Sequence, residues 1–178
     1  MERKEINKKY NIIYADPPWR YWEGGKKNQS RHYSTMKLED IKKLQIPAKN
    51  DCVLFLWFTD PMLIHIFDVV KEWGFEYTGK LITWIKINKK KDSFFFGLGN
   101  RTRANPEVCL IATKGNPKIN WDKFQGTLFT RIREHSRKPD EFYKLAESLW
   151  PEAKRIDIFS REKRPGWEQY GNEPTKMG

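Results

Sequence analysis

A short apolar run, Ile12-Ile13-Tyr14-Ala15, is cut off by Asp16-Pro17-Pro18-Trp19. No other feature of the chain constrains its fold as much. Two adjacent prolines lack backbone donors and fix φ, so a strand over 11–15 must leave its sheet at this point. The strand end then carries a carboxylate, carbonyl groups and an indole. In open α/β sheets, the carboxyl ends of the strands are where ligands bind. A carboxylate and a carbonyl can accept both protons of an exocyclic amine while an indole stacks on the attached ring. The group suits chemistry on the amino group of adenine or cytosine.

The rest of the chain alternates strand and helix patterns. Residues 20–33 are polar, rich in Gly, Lys, Asn and Ser, and read as a loop. A short helix is expected over 35–44, with Leu38, Ile41 and Leu44 on one side. The apolar run 52–58 reads as a fully buried strand. Residues 61–73 read as a helix, with Pro61 in its first turn and Gly74 at its end. Strands are expected over 75–87, 107–113 and 155–159, a helix over 138–150, and a last short strand over 167–171. The stretch 128–136 reads as a polar connection with a strand near its start. Alternation of this kind predicts an α/β fold with a largely parallel sheet. Two strands without a helix between them, within 76–113, predict an antiparallel pair at one edge. With 178 residues, no repeat and no linker, one domain over 1–178 is expected.

Composition narrows the class of partner. The formal net charge is +11, with eight tryptophans and eleven phenylalanines. A basic, aromatic-rich chain is attracted to nucleic acid, although charges spread over solvated faces would give the same total. Cys52 and Cys109 sit in apolar runs and read as buried thiols rather than a disulfide or zinc site. His32, His65 and His135 show no ligand spacing, so no metal is expected. The first ten residues lack an apolar signal core, and no run approaches a membrane span. A soluble, cytoplasmic protein without a membrane partner is expected.

Taken in order along the chain, several stretches resemble the MT-A family of adenine-N(6) methyltransferases. They are Asp16-Pro17-Pro18-Trp19, His32-Tyr33-Ser34-Thr35-Met36, Leu54-Phe55-Leu56-Trp57, Thr102-Arg103-Ala104-Asn105-Pro106-Glu107, His135-Ser136-Arg137-Lys138-Pro139-Asp140-Glu141, 156–161, Gly166-Trp167 and Gly171-Asn172-Glu173. The resemblance covers nearly the full length and follows the family of the mRNA adenosine methyltransferase, in particular its bacterial and phage branch. It implies a Rossmann-like fold using S-adenosylmethionine, with the catalytic strand first and much of the cofactor site last. That order matches the lack of a Gly-rich turn after the first strand.

The resemblance also implies roles. Asp16 and the Pro17 carbonyl would accept the two hydrogens of the target amine, with Pro18 and Trp19 completing the catalytic tetrad. Trp19 would stack on the adenine, and Tyr33 would lie near it. Asp16, Lys138, Phe159, Arg161, Asn172 and Glu173 would contact the cofactor, Lys138 meeting its carboxylate. Glu173 departs from the eukaryotic Gln, yet a carboxylate still binds ribose hydroxyls. Arg101, Arg103, Lys86 and Lys89-Lys90-Lys91 flank Phe94-Phe95-Phe96. They suit a channel for a nucleic-acid strand or, more plainly, a solvated basic loop. The expected activity is methylation of the 6-amino group of adenine in DNA. RNA adenosine, the cytosine amino group and an inert nucleic-acid-binding sibling are the rival readings. A homodimer and a partner subunit both stay open, since eukaryotic members of the family pair with an inactive sibling.

Overall fold

A computed structural model describes residues 8–20, 35–97, 103, 105–121, 125–133, 137–160 and 162–170. Among them seven strands form one sheet: β1 (Tyr10–Ala15), β2 (Ala48–Phe58), β3 (Glu76–Ile87), β4 (Glu107–Lys114), β5 (Thr127–Arg131), β6 (Arg155–Ile158) and β7 (Glu168–Tyr170). Their order is β5-β3-β4-β2-β1-β6-β7. Every pairing is parallel except those of β4, which runs antiparallel to both β2 and β3. The expected antiparallel pair is therefore present. It does not lie at an edge, because β5 adds a further parallel strand outside β3.

Alternation along the central strands feeds two cores. Ile13, Ala15, Leu54, Leu56, Leu110 and Ala112 face helices α1 (Leu38–Lys42) and α2 (Ile66–Glu72) through Ile41, Ile66, Val69 and Val70. Ile12, Tyr14, Val53, Phe55, Cys109 and Ile111 face helix α3 (Asp140–Leu149) through Phe142, Tyr143, Ala146 and Leu149. Each strand thus shows one side chain in two to each helical layer, which is why β2 reads as a continuous apolar run. Phe142 is fully buried and meets the rings of Tyr14, Phe55 and Trp57 edge-on at 5.1–5.3 Å. Burying a ring of this size contributes about 1.5–3 kcal/mol and fixes α3 across β1 and β2. Gly74, at φ +75°, closes α2 in the left-handed conformation that its sequence position predicts.

This topology brings one set of chain ends together. The C-terminal ends of β1, β2, β3 and β6 and the start of the reversed β4 lie along one sheet edge, as Ala15↔Leu56, Ala15↔Ile158, Phe58↔Val108 and Trp84↔Glu107 are register partners. Cys52 and Cys109 are buried free thiols. Among the described residues, no helix is long and apolar enough to cross a membrane.

Candidate active site

The proline pair ends β1 as its chemistry requires, and the chain turns immediately. The Trp19 amide donates to the Pro17 carbonyl at 2.8 Å, and the Met36 amide donates to the Pro18 carbonyl at 2.8 Å. Asp16 is held at the exit, half-buried, where β1 leaves the sheet between β2 and β6.

A chain of ionised groups runs inward from it. The Lys138 ammonium, from the segment leading into α3, donates to Asp16 Oδ2 at 2.5 Å and lies 3.1 Å from Glu107 Oε2. The other oxygen of Glu107 takes Lys86 Nζ at 2.5 Å. Lys138 Nζ also stands 5.2 Å from the centre of the Trp57 ring. Side-chain exposure is 8% for Lys138 and 30% for Asp16, so the carboxylate is the chain's outer end. Burial alone would lower the pKa of such a lysine. The facing carboxylates of Asp16 and Glu107 overcome that cost and raise its pKa above the ordinary lysine value. Burial likewise favours neutral Glu107, but the ammoniums of Lys138 and Lys86 outweigh it and hold its pKa at about 2. Asp16 therefore faces a permanent, buried cation.

Trp19 is only 4% exposed, and its indole N–H donates to the Trp57 carbonyl at 3.0 Å. It packs in the core and ties the proline turn to β2. Lys86 points inward to Glu107 and is not available to a phosphate. Phe159 stands just past β6, half-buried, at φ +70°. Its amide donates to the Tyr170 carbonyl at 2.6 Å, carrying the parallel β6–β7 pairing one residue past the end of β6. A bulky residue in that conformation is strained, and such strain concentrates at functional sites. Arg103 is exposed. Tyr33, Arg101, Arg161, Asn172 and Glu173 lie outside the described residues. Glu107 is the group that sequence reasoning missed as a site residue. Its signal was a carboxylate heading an otherwise apolar run, Val108-Cys109-Leu110-Ile111-Ala112.

The MT-A70 family pattern matches residues 10–173. The chain belongs to the MT-A70 family. It is 29% identical over 175 residues to an Arabidopsis thaliana N(6)-adenosine-methyltransferase MT-A70-like protein, covering 96% of this chain and 24% of that one. It is 30% identical over 170 residues to the human N(6)-adenosine-methyltransferase catalytic subunit METTL3, covering 93% and 28%. It is also 30% identical over 189 residues to the type II methyltransferase M.MunI of Mycoplasma sp, covering 93% and 78%. The chain thus spans about a quarter of the length of the adenosine methyltransferases it matches.

MT-A70 methyltransferases use S-adenosyl-L-methionine. The groups gathered here suit that molecule. A buried ammonium and a half-buried carboxylate complement its amino-acid end, and the Phe159 ring lies at the adjoining strand end.

Proposed function

We propose that this MT-A70 domain transfers a methyl group to the 6-amino nitrogen of adenine in nucleic acid, with DNA as the preferred polymer. The observation that carries the reading is the Asp16–Lys138 pair at the proline exit of β1. The amine of adenine is a weak nucleophile because its lone pair is delocalised into the ring. Asp16 accepts a hydrogen bond from one N–H. The Pro17 carbonyl accepts from the other through the lone pair that Trp19 does not use. With both hydrogens held, the nitrogen becomes pyramidal and its lone pair is directed at the methyl group. Lys138 donates to Asp16 and fixes its rotamer. Two of its three N–H donors are engaged by Asp16 and Glu107, and the third suits the cofactor carboxylate. The cofactor supplies a methyl group made electrophilic by its sulfonium. Bound there, it would leave as the neutral thioether, and the nitrogen, acidic once alkylated, would release its proton to water, so that Asp16 serves as a hydrogen-bond acceptor. Alignment of this kind is worth up to about 7–11 kcal/mol of barrier, and preorganised acceptors act most strongly in a partly dry site.

The match that runs through 78% of the type II methyltransferase supports DNA. The adenosine methyltransferases make RNA the second reading. Labelled S-adenosylmethionine with matched DNA and RNA oligonucleotides, followed by nucleoside mass spectrometry, separates them. The expected product is 6-methyladenine from DNA. Label on RNA alone would overturn the polymer, label on cytosine would overturn the base, and cofactor binding without transfer would indicate an inert sibling.

A further inference from the structure

At the far end of the same sheet edge, β3 runs into a segment that the catalytic reading leaves without a task. After Ile87 the chain makes a tight turn and comes back, so that Phe94 bridges antiparallel to Ile87. The turn is pinned from several sides. The Asn88 amide donates to the Ser93 carbonyl at 2.9 Å, and the Asn88 side chain reaches Ser93 Oγ at 2.8 Å and the Phe94 carbonyl at 3.0 Å. Arg131 of β5 donates to the carbonyls of Asn88 and Lys91 and pairs with Asp92. The buried Asn105 donates to the carbonyls of Lys86 and Phe95.

On this fixed backbone the aromatic rings point outward. Phe94 and Phe96, two residues apart and so on one side of an extended segment, are 52% and 51% exposed, with ring centres 6.5 Å apart. Phe129 on neighbouring β5 is 64% exposed. Together with Ile87, Thr130 and Arg131 they line an open cleft of about 700 Å³. Three exposed phenylalanines on a well-bonded scaffold mark a surface built to be covered. Charge identifies the cover. Lys89, Lys90 and Lys91 are exposed at the turn, and the turn's own acid, Asp92, is engaged by Arg131.

We infer that this cleft is a stacking subsite for bases of a single-stranded or unstacked DNA segment a few nucleotides from the target adenine, with the lysine turn on the phosphates. The inference rests on the reading of the chain as a nucleic-acid enzyme. Aromatic rings beside cations are what a strand needs, because every base has a π-face and every nucleotide a phosphate. The reach is suitable. β3 and β5 stand three and four strands from β1 in the sheet order, about 14–19 Å at the usual strand spacing. That spans roughly four to six stacked nucleotides, and fewer in a drawn-out strand.

The test uses the full chain and fluorescein-labelled thymidine oligomers with one central adenine, three or twelve nucleotides long, read by anisotropy. The variant is Phe94→Leu with Phe96→Leu, which keeps apolar area for a protein contact but removes the π-faces. The expected result is at least about fivefold weaker binding of the 12-mer, the least that one lost stack accounts for. The 3-mer should be unaffected, and Phe94→Trp should bind the 12-mer as well as the original chain or better. Equal loss for both lengths, or no loss for either, overturns the subsite. Light scattering that shows the original chain self-associating through this face, with 12-mer binding unchanged in Phe94→Lys, would make it a protein interface instead. Failure of the original chain to bind either oligomer overturns the subsite and leaves the activity to be decided by the labelled-methyl assay. Binding of the 12-mer without methyl transfer overturns the activity and leaves the subsite standing.

Discussion

One sheet edge carries two unlike regions. At the ends of β1 and β4, charges are buried and neutralise one another pairwise, from Asp16 through Lys138 and Glu107 to Lys86. At the end of β3, charges and rings face solvent, with Lys89, Lys90 and Lys91 beside Phe94 and Phe96. The contrast follows from what each must hold. A reacting nitrogen needs an acceptor fixed in one rotamer, and a partly dry, fully paired network gives that at the expense of desolvation. A polymer of varied sequence needs contacts that tolerate any base, which exposed rings and screened cations provide. Lys86 sits at the junction, its ammonium turned into the first region one residue before the strand end that builds the second.

The largest effect should come from the inner region. Asp16→Ala is expected to lower methyl transfer by about 10²–10³-fold, the scale seen when one preorganised hydrogen-bonding partner is removed. Far-ultraviolet circular dichroism should stay unchanged, because Lys138 keeps Glu107 as its partner. Transfer within tenfold of the original chain would mean that the inner region serves stability alone.

Two buried carboxylates then sharpen the contrast between paired and unpaired burial, each by a few kcal/mol and with opposite sign. Glu107 is held at about 2 against an ordinary 4.5 by its two lysines. Its contribution, on the order of 3 kcal/mol, is complete above the unfolded value and is lost as pH falls from about 4.5 towards 2. Asp157 on β6 is also buried, but its nearest hydrogen-bond donor is the neutral Tyr143 hydroxyl, at 2.8 Å. Burial raises it from 3.8 to about 7. The folded state therefore binds a proton that the unfolded state releases, and stability declines as pH rises from about 3.8 to about 7. Urea midpoints measured from pH 2 to 8 should show Glu107→Gln flattening the acid limb. Asp157→Asn should flatten the decline towards neutrality and stabilise the protein at pH 8. If both variants moved the same limb, cation pairing would not be what distinguishes the two sites.

Much of this was legible in the sequence, for identifiable reasons. The proline pair fixed where β1 ends, apolar alternation gave the central strands, and Gly74 marked the end of α2. The place of β1 inside the sheet, between β2 and β6, was not legible, nor was the insertion of β4 between β2 and β3. Strand order depends on long-range pairing that local pattern does not encode. Candidate site residues could be proposed from sequence when the chemistry was local, as at Asp16. They were not when a partner lay far along the chain. Glu107 gains its meaning from Lys138, Trp19 from the carbonyl of Trp57, and Lys86 from Glu107. A basic, aromatic loop was expected over 88–104, as a strand channel or with its aromatics turned inward, but which cations and rings face outward was decided by those distant partners.

A smaller effect is expected at Phe159, whose backbone adopts φ +70° just past β6, the neighbour of β1. Phe159→Ala and Phe159→Gly both remove the ring, and only Gly relieves the left-handed strain. The Gly variant should be more stable than the Ala variant by about 1–2 kcal/mol in chemical denaturation. Both should bind S-adenosylmethionine more weakly than the original chain in calorimetry, if the ring flanks the cofactor. Equal stability of the two variants would mean that the bend relaxes when the ring is lost. The strain would then belong to the ring's packing and not to the backbone just past β6.

The smallest effect separates the lysines themselves. Each phosphate neutralised on a single strand contributes about 0.7 to the slope of log binding constant against log salt. Lys90→Gln should therefore flatten that slope by about 0.7, and the triple change at Lys89, Lys90 and Lys91 by about 2, measured on the 12-mer between 50 and 200 mM salt. Lys86→Gln should leave the slope where it was, since its ammonium already neutralises Glu107. It should instead destabilise the fold, because a carboxylate buried between two cations keeps only one. Two lysines a few residues apart would then report through different observables, one through salt and the other through unfolding. An equal change of slope at both positions would mean that Lys86 leaves Glu107 to meet the strand. The boundary between the dry and the open region would then move when nucleic acid binds.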